Sequence, residues 1–350
     1  MGQKKIYLGQ NNNLDTYFDL EAASNKHIII FGATGSGKSV QAQNIILDIA
    51  RNGGTVVVLD IHSVFSKEQI FHVYRKELEM YLNEIDVYND GISCNLFTPI
   101  KFADGTVEKP CDTAGAVVDI LARATKMGMK QKGVLREIIE DFMYSGFYET
   151  RGIGALDFQL NFNKTNETEY IRNKLYPLIS HNIFRPGNSF IKKGKINVVC
   201  LEKFDLSTQE IIAELLLSYL WRMASVSSFK ENGLFVFADE FQNLISGKNC
   251  ALNQIIAEGR KFNLNLILAT QQFPSSTQRM AQNFMQSGLI LLFKPCSDQI
   301  NIVAKFIDPD KKNEWAKILA SLRKGEFIAV GKLTFNNYKY TNPLKISNIM

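Results

Sequence analysis

One octapeptide constrains this chain more than any other feature: Gly32-Ala33-Thr34-Gly35-Ser36-Gly37-Lys38-Ser39. An apolar stretch, His27–Phe31, precedes it, and an amphipathic helical pattern, Ser39–Arg51, follows. Strand, glycine-rich turn and helix in this order satisfy the phosphate-loop pattern G-x-x-x-x-G-K-[ST]. The glycines let successive backbone N–H groups turn inward around phosphate oxygens. The start of the helix adds its partial positive charge. In such a loop Lys38 reaches the β and γ phosphates and the Ser39 hydroxyl ligates Mg²⁺. The expected cradle runs from Gly32 through Ser39 to Val40, and its expected ligands are ATP and Mg²⁺.

Further apolar runs set the architecture. Thr55–Leu59, Ile196–Leu201, Leu234–Ala238, Leu264–Ala269, Leu289–Phe293 and Phe327–Val330 are short and rich in Val, Ile, Leu and Phe. They read as strands buried on both faces, as in parallel sheets. Helical patterns over Gln209–Ala224, Ala251–Lys261 and Asp310–Leu322 lie between them. Alternating strands and helices predict a doubly wound α/β fold with a mainly parallel central sheet. The alternation breaks at about 62–195, where amphipathic patterns fall near Lys67–Leu82, Thr113–Thr125, Val134–Tyr144 and Glu167–Ile179. We read this stretch as a largely helical insertion, residues 1–24 as a short N-terminal segment, and 25–350 as one ATPase domain.

Leu234–Ala238 ends in Asp239-Glu240. Carboxylates at the end of a buried strand are costly unless they meet a cation or water. Asp239 is expected to hold Mg²⁺ with Ser39, and Glu240 to polarise the water that attacks the γ phosphate; the alternative is a pair that caps the next helix. The neighbouring strand ends in Thr270-Gln271-Gln272. Gln271 is nearer the strand end and is chosen as the amide that senses the γ phosphate, against a solvent-facing loop amide. Thr55–Leu59 ends in Asp60-Ile61-His62, and Asp60 could support the metal or the loop, while His62 reads equally as structural. In Glu258-Gly259-Arg260-Lys261 the basic residues fit a helix dipole, or Arg260 crosses a subunit interface to a neighbour's γ phosphate. No NKxD-like guanine motif is evident, and Glu240 favours water as the attacking group over transfer to a small molecule.

The formal charge of +5 permits contact with an anionic polymer without demanding it. Two segments have the basic, small-residue character of a DNA-facing pore loop: Arg123–Gly133 and Pro274–Arg279. The alternative for each is a solvated helix end. Five scattered cysteines and four unclustered histidines show no zinc pattern and fit a reducing cytosol, with Cys200 read as a small core residue. No apolar stretch is long enough to span a bilayer, and the N-terminus carries no signal-peptide pattern, so a cytoplasmic location is expected.

Together these motifs resemble the HerA–FtsK superfamily of hexameric DNA-pumping ATPases. The resemblance rests on VVVLDIH, NLFTPI at Asn95–Ile100, LFVFADEFQ, IIAEGRKFNLNLILATQQ and SLRKGEFIAVG at Ser321–Gly331. It implies a RecA-like core, a ring of six copies with ATP sites between neighbours, and translocation of double-stranded DNA. Lys38, Ser39, Asp239, Glu240 and Gln271 match the family's nucleotide residues. Arg260 matches its basic position, which favours the trans-acting arginine, with Arg323 as a second candidate. Typical HerA proteins carry an N-terminal β-barrel that helps dock a nuclease; with about 25 residues before the first strand read here, the resemblance leads us to expect most of that barrel to be missing. The implied function is a HerA-type motor working with a nuclease or other effector. The alternative is an ATP-binding scaffold that activates an anti-phage effector, such as an NAD-consuming one.

Overall fold

The computed structural model describes residues 4–348, apart from 67, 103, 163, 227–231, 245–249, 274–285, 336–337 and 341–342. Its centre is a 13-stranded sheet. Seven parallel strands run in the order Leu289–Phe293, Ile28–Phe31, Leu264–Thr270, Leu234–Ala238, Thr55–Asp60, Ile196–Cys200 and Leu82–Asp86. Alternate side chains serve opposite faces, as a pleat requires. Ile28, Ile30, Val56, Val58 and Phe237 pack with Ile45, Ile46 and Ile49 of the helix Lys38–Arg51. Ile29, Phe31, Val57, Leu59 and Val236 pack with Leu216 and Leu220 of the helix Leu206–Val226 on the other side. Covering both faces explains the unbroken apolar runs in the sequence.

Six strands continue the sheet in antiparallel pairing beyond Leu289–Phe293. Glu326–Gly331 comes first, then Leu344–Ser347, Lys5–Asn11, Leu14–Asp19, Leu333–Phe335 and Tyr338–Tyr340. The segment read from sequence as preceding the first strand therefore holds two strands. Their hairpin turns at Asn12-Asn13, both at positive φ (48° and 64°). Asparagine tolerates this left-handed region, and two such residues make the turn that matches strand twist. The hairpin is fastened to the phosphate-loop helix: Tyr7 N–H donates to Asp48 Oδ2 (2.8 Å) and Asn44 Nδ2 donates to Tyr7 O (2.7 Å).

The stretch between Asp60 and Ile196 contains the helices Pro110–Ala124, Met129–Tyr144, Leu156–Phe162 and Asn166–Ser180. Their buried residues, including Leu121, Ile139 and Leu175, share one core with the sheet face. The expected helix over Lys67–Leu82 is corrected: only Arg75–Tyr81 is helical, and Leu82–Asp86 is the edge strand of the parallel set. Its sequence, LNEID, is half-exposed and acidic, so it lacks the apolar mark of a central strand. The residues before the helix form turns held by Gln43, whose amide donates to Val64 O (2.9 Å) and accepts from Phe71 N–H (2.9 Å).

Candidate nucleotide site

The phosphate loop lies at the carboxyl edge of the parallel strands, between Phe31 and Lys38. Gly37 caps the following helix at φ 110° with no side-chain cap, so the first helical N–H groups stay free for a ligand. Gly32 is required by space as well as by its φ of +157°, since a Cβ there would lie 2.5 Å from Phe293 Cβ. Ala33 N–H donates to Lys294 O (2.8 Å), and Gly32 N–H to Thr270 O (3.2 Å), pinning the loop to the strands on both sides. Buried Lys38 folds back over the loop, its Nζ donating to Gly32 O (2.9 Å) and Ala33 O (3.2 Å). Burial depresses its pKa, while Asp239 and Glu240 act in the opposite sense. An ammonium held only by carbonyls in a desolvated loop fits an anionic ligand.

A continuous chain of side-chain hydrogen bonds joins the loop to the acidic strand end. Thr34 Oγ1 donates to Gln271 Oε1 (2.5 Å), and Gln271 Nε2 donates to Glu240 Oε1. Gln242 Nε2 donates to Glu240 Oε2 (2.6 Å), and Thr270 Oγ1 donates to Gln242 Oε1 (2.7 Å). Gln271 thus lies between the cradle and the carboxylate, while Gln272 is exposed. Each Glu240 oxygen holds one amide, which fixes the carboxylate's plane. Glu240 also adopts φ 45°, a left-handed conformation that non-glycine residues take at a cost of about 1–3 kcal/mol and that concentrates at functional sites. Gln242 escaped the sequence reading; its signal was an amide two residues beyond the acidic pair, in the turn Phe241–Leu244.

Burial, and then the neighbouring Glu240, raise the pKa of Asp239; Lys38 and His62 pull it back. One Asp239 oxygen accepts the Glu240 N–H (2.9 Å), and the residue makes no ion pair among the described residues. Two adjacent carboxylates with a desolvated member suit a divalent cation. The Ser39 hydroxyl has no protein partner among the described residues, so Ser39 and Asp239 are free to hold Mg²⁺. His62 is exposed and close enough to Asp239 to act on its charge.

Other candidates are elsewhere. Asp60 is engaged in a structural role: its oxygens accept the N–H groups of Val64 (2.8 Å) and Phe65 (3.0 Å), holding the loop after its strand. Cys200 is not a core thiol. It is half-buried in a cleft with Asp60, Glu84, Asp86 and Glu202, and burial followed by that negative charge pushes its pKa up to about 12. Arg123, assigned from sequence to a DNA-facing loop, instead pairs with Glu214 (2.7 Å), whose side chain is 1% exposed, and with Ser218 (3.0 Å). Lys132 pairs with Asp119 and Lys130 with Glu167, which removes more of that loop's free charge. Pro274–Arg279 lies outside the described residues. The turn bearing Arg323 rests on the cradle of its own chain, with Gly325 N–H donating to Ser36 O (2.9 Å).

Arg260 stands at the opposite edge of the sheet. It belongs to the short turn Gly259–Phe262 that leads into Leu264–Thr270, whose far end carries Gln271. At about 3.3 Å per residue that strand places Arg260 on the order of 20 Å from its own phosphate loop. The guanidinium is exposed and makes no hydrogen bond or ion pair among the described residues.

Comparison with known proteins agrees with this arrangement. Residues 6–220 match the family described as helicase HerA, central domain. The DNA double-strand break repair helicase HerA of Saccharolobus solfataricus is 26% identical over 354 residues, covering 95% of this chain and 67% of the relative. The chain thus spans about two thirds of the length of its curated relatives. Among solved structures, VirB4 of Thermoanaerobacter pseudethanolicus superposes with a TM-score of 0.69 at 13% identity, covering 99% of this chain and 96% of that one. The bacterial conjugative coupling protein TrwB gives a TM-score of 0.61 at 12% identity, with 95% and 87% covered. With its phosphate loop, acidic strand end and glutamine strand on one parallel sheet edge, the chain belongs to the HerA helicase central-domain family, within the HerA–FtsK superfamily of P-loop ATPases.

Proposed function

We propose that this chain is the ATP-hydrolysing core of a ring motor that moves double-stranded DNA. The observation that carries this reading is the division of the catalytic set. Cradle, Glu240, Gln271 and Gln242 are assembled at one sheet edge, while Arg260 is unengaged at the other. An arginine that cannot reach its own nucleotide is usable by the next copy in a ring, which supports Arg260 as a trans-acting residue. HerA relatives named as DNA break repair helicases support DNA as the substrate, and a homo-hexamer is the ring we propose.

In this reading Lys38 and the free N–H groups of the cradle bind the β and γ phosphates. Ser39 and Asp239 would hold Mg²⁺, which when bound neutralises charge on those phosphates. Glu240, oriented by its two amides, accepts a hydrogen bond from the attacking water and aligns it with the γ phosphorus. Gln271 links this carboxylate to Thr34 of the cradle, so arrival of a γ phosphate competes for the same amide. Release of that amide is a direct route from nucleotide state to strand position. We further propose a nuclease or other effector as the partner of the ring, and the cytoplasm as its location; among the described residues no helix is long and apolar enough to cross a membrane.

The test is the mass of the purified particle and its ATPase rate, with and without duplex DNA. A hexamer whose ATPase rises with DNA is expected. A strict monomer with full activity would overturn the ring. ATPase that emerges only with a partner protein would replace the motor with a scaffold. Mixed rings of Arg260→Ala and Lys38→Ala copies should recover part of the activity that each lacks alone, because some interfaces then hold an intact cradle and an intact arginine.

A further inference from the structure

His27 is 2% exposed, and its Nε2 is the one buried side-chain nitrogen or oxygen without a hydrogen-bond partner among the described residues. Its Nδ1 accepts the Leu266 N–H (3.0 Å), which assigns the ring proton to Nε2. That N–H faces the last turn of the helix Ala251–Glu258, near the carbonyls of Ile255 and Ile256, without forming a well-aligned bond. The ring also backs the turn that bears Arg260. A Cβ on Gly259 would lie 3.5 Å from His27 Cε1, and only 2.4 Å from Leu264 O. Burial, with Arg260 opposing a second positive charge, lowers the His27 pKa to about 4, so the imidazole is neutral at physiological pH.

The position of this ring in the fold gives it meaning. His27 directly precedes the strand Ile28–Phe31, whose other end is Gly32 of the cradle. Its own backbone is fixed, the N–H donating to Asn25 Oδ1 (2.9 Å) and the carbonyl accepting from Gly288 N–H (3.0 Å). One short strand therefore carries the phosphate loop at one end and, at the other, a side chain wedged beneath the arginine turn. The Ile255 carbonyl accepts the Gly259 N–H, and a carbonyl's second lone pair can still take the buried His27 N–H donor beside it. A small shift of the turn toward the ring would complete that bond and carry Arg260 with it.

We propose that His27 is a positioning residue for Arg260. Its Nε2–H completes a hydrogen bond to the Ile255 or Ile256 carbonyl when the turn is in its working position, so that the cradle strand of one copy sets the arginine presented to the next copy. This rests on reading Arg260 as trans-acting, and the test separates the two.

The test measures ATP hydrolysis and fluorescent ATP-analogue binding for the assembled wild-type protein and four variants: Arg260→Ala, His27→Asn, His27→Gln and His27→Asn/Arg260→Ala. Asparagine keeps an acceptor for Leu266 and removes the donor at the Nε2 position; glutamine restores that donor. His27→Asn should lower kcat about tenfold with KM and analogue binding within about twofold. His27→Gln should retain at least about half of the wild-type kcat, and the double variant should be no slower than Arg260→Ala alone. Wild-type kcat in His27→Asn, or losses that multiply in the double variant, overturns the positioning role while leaving Arg260 intact. Full activity in Arg260→Ala overturns the trans-acting arginine, and this proposal with it. Should His27→Asn fail to fold, His27→Gln decides alone, and a tenfold fall in its kcat with binding retained refutes the donor's role.

Discussion

The two edges of the parallel sheet are built on opposite principles. At the carboxyl edge, Thr34, Gln271, Glu240, Gln242 and Thr270 are joined in a continuous chain of hydrogen bonds, and Lys38 is folded onto its own loop. At the amino edge, Arg260 is exposed and makes no ion pair among the described residues, and His27 keeps a buried N–H that forms no well-aligned hydrogen bond to the nearby Ile255 and Ile256 carbonyls. The same strands, Ile28–Phe31 and Leu264–Thr270, connect both edges. The contrast teaches that one edge fixes its side chains on one another around groups left open for a ligand, while the other leaves a cationic side chain open to solvent. A preorganised network fixes geometry before the ligand arrives, whereas unpaired groups wait for a second surface.

That contrast can be broken most forcefully at Lys38. Lys38→Ala should weaken ATP binding by at least about 100-fold, equivalent to about 2.7 kcal/mol, in a calorimetric titration. Retained binding would remove the cradle from the nucleotide site. Glu240→Gln should bind ATP normally and hydrolyse it about 10³-fold more slowly, because the proposed general base is lost while the amide can still pair with its neighbours. Wild-type turnover there would assign the attacking water to another group.

Smaller effects sharpen the picture. Gln271→Ala should lower kcat about 100-fold and Gln242→Ala about tenfold, since each releases one oxygen of Glu240 and loosens its alignment. Gln271 also touches Thr34, so its loss should be the larger; equal or reversed effects would show that the cradle link carries no weight. The least effect on turnover is expected from Arg123→Ala, with kcat within about twofold if its role is structural. Its cost falls on folding, at about 3 kcal/mol in denaturant unfolding, because Glu214 is left buried without its partner. Burial raises the Glu214 pKa from its ordinary value of 4.5, and Arg123 opposes the rise. A carboxyl whose folded pKa is raised loses stability as pH climbs from the unfolded pKa through the folded one. Removing Arg123 raises the folded pKa further, so the deficit should be largest at neutral pH and shrink toward pH 4.5. A pH-independent deficit would place the cost outside this carboxylate.

Several of these features were legible in the residues themselves. The octapeptide from Gly32 and the strands ending at Ala238 and Ala269 are marked by local chemistry, because a phosphate loop and a doubly covered strand leave few alternatives. The edge strand Leu82–Asp86 was hidden because an edge position lets LNEID be polar. The hairpin at Asn12-Asn13 carried its own turn signal, but its partners are the distant strands at Leu333 and Leu344, a pairing no local pattern encodes. Arg123 looked like a free basic residue in sequence. Its Glu214 partner sits 91 residues away, on another helix.

Sequence alone carried the phosphate-loop pattern of the cradle, pointed to Asp239, Glu240 and Gln271 as its candidate partners, and held the alternation that makes a parallel α/β sheet. These rest on residue types at short spacing and on burial periodicity, which a chain carries locally. Tertiary structure decided which of those residues meet. It placed Gln271 between Thr34 and Glu240, recruited Gln242, engaged Asp60 and Arg123 in structural bonds, and set Arg260 at the far edge above His27. Those outcomes depend on strand order and register, which are settled only when distant segments compete for the same core and the same hydrogen bonds.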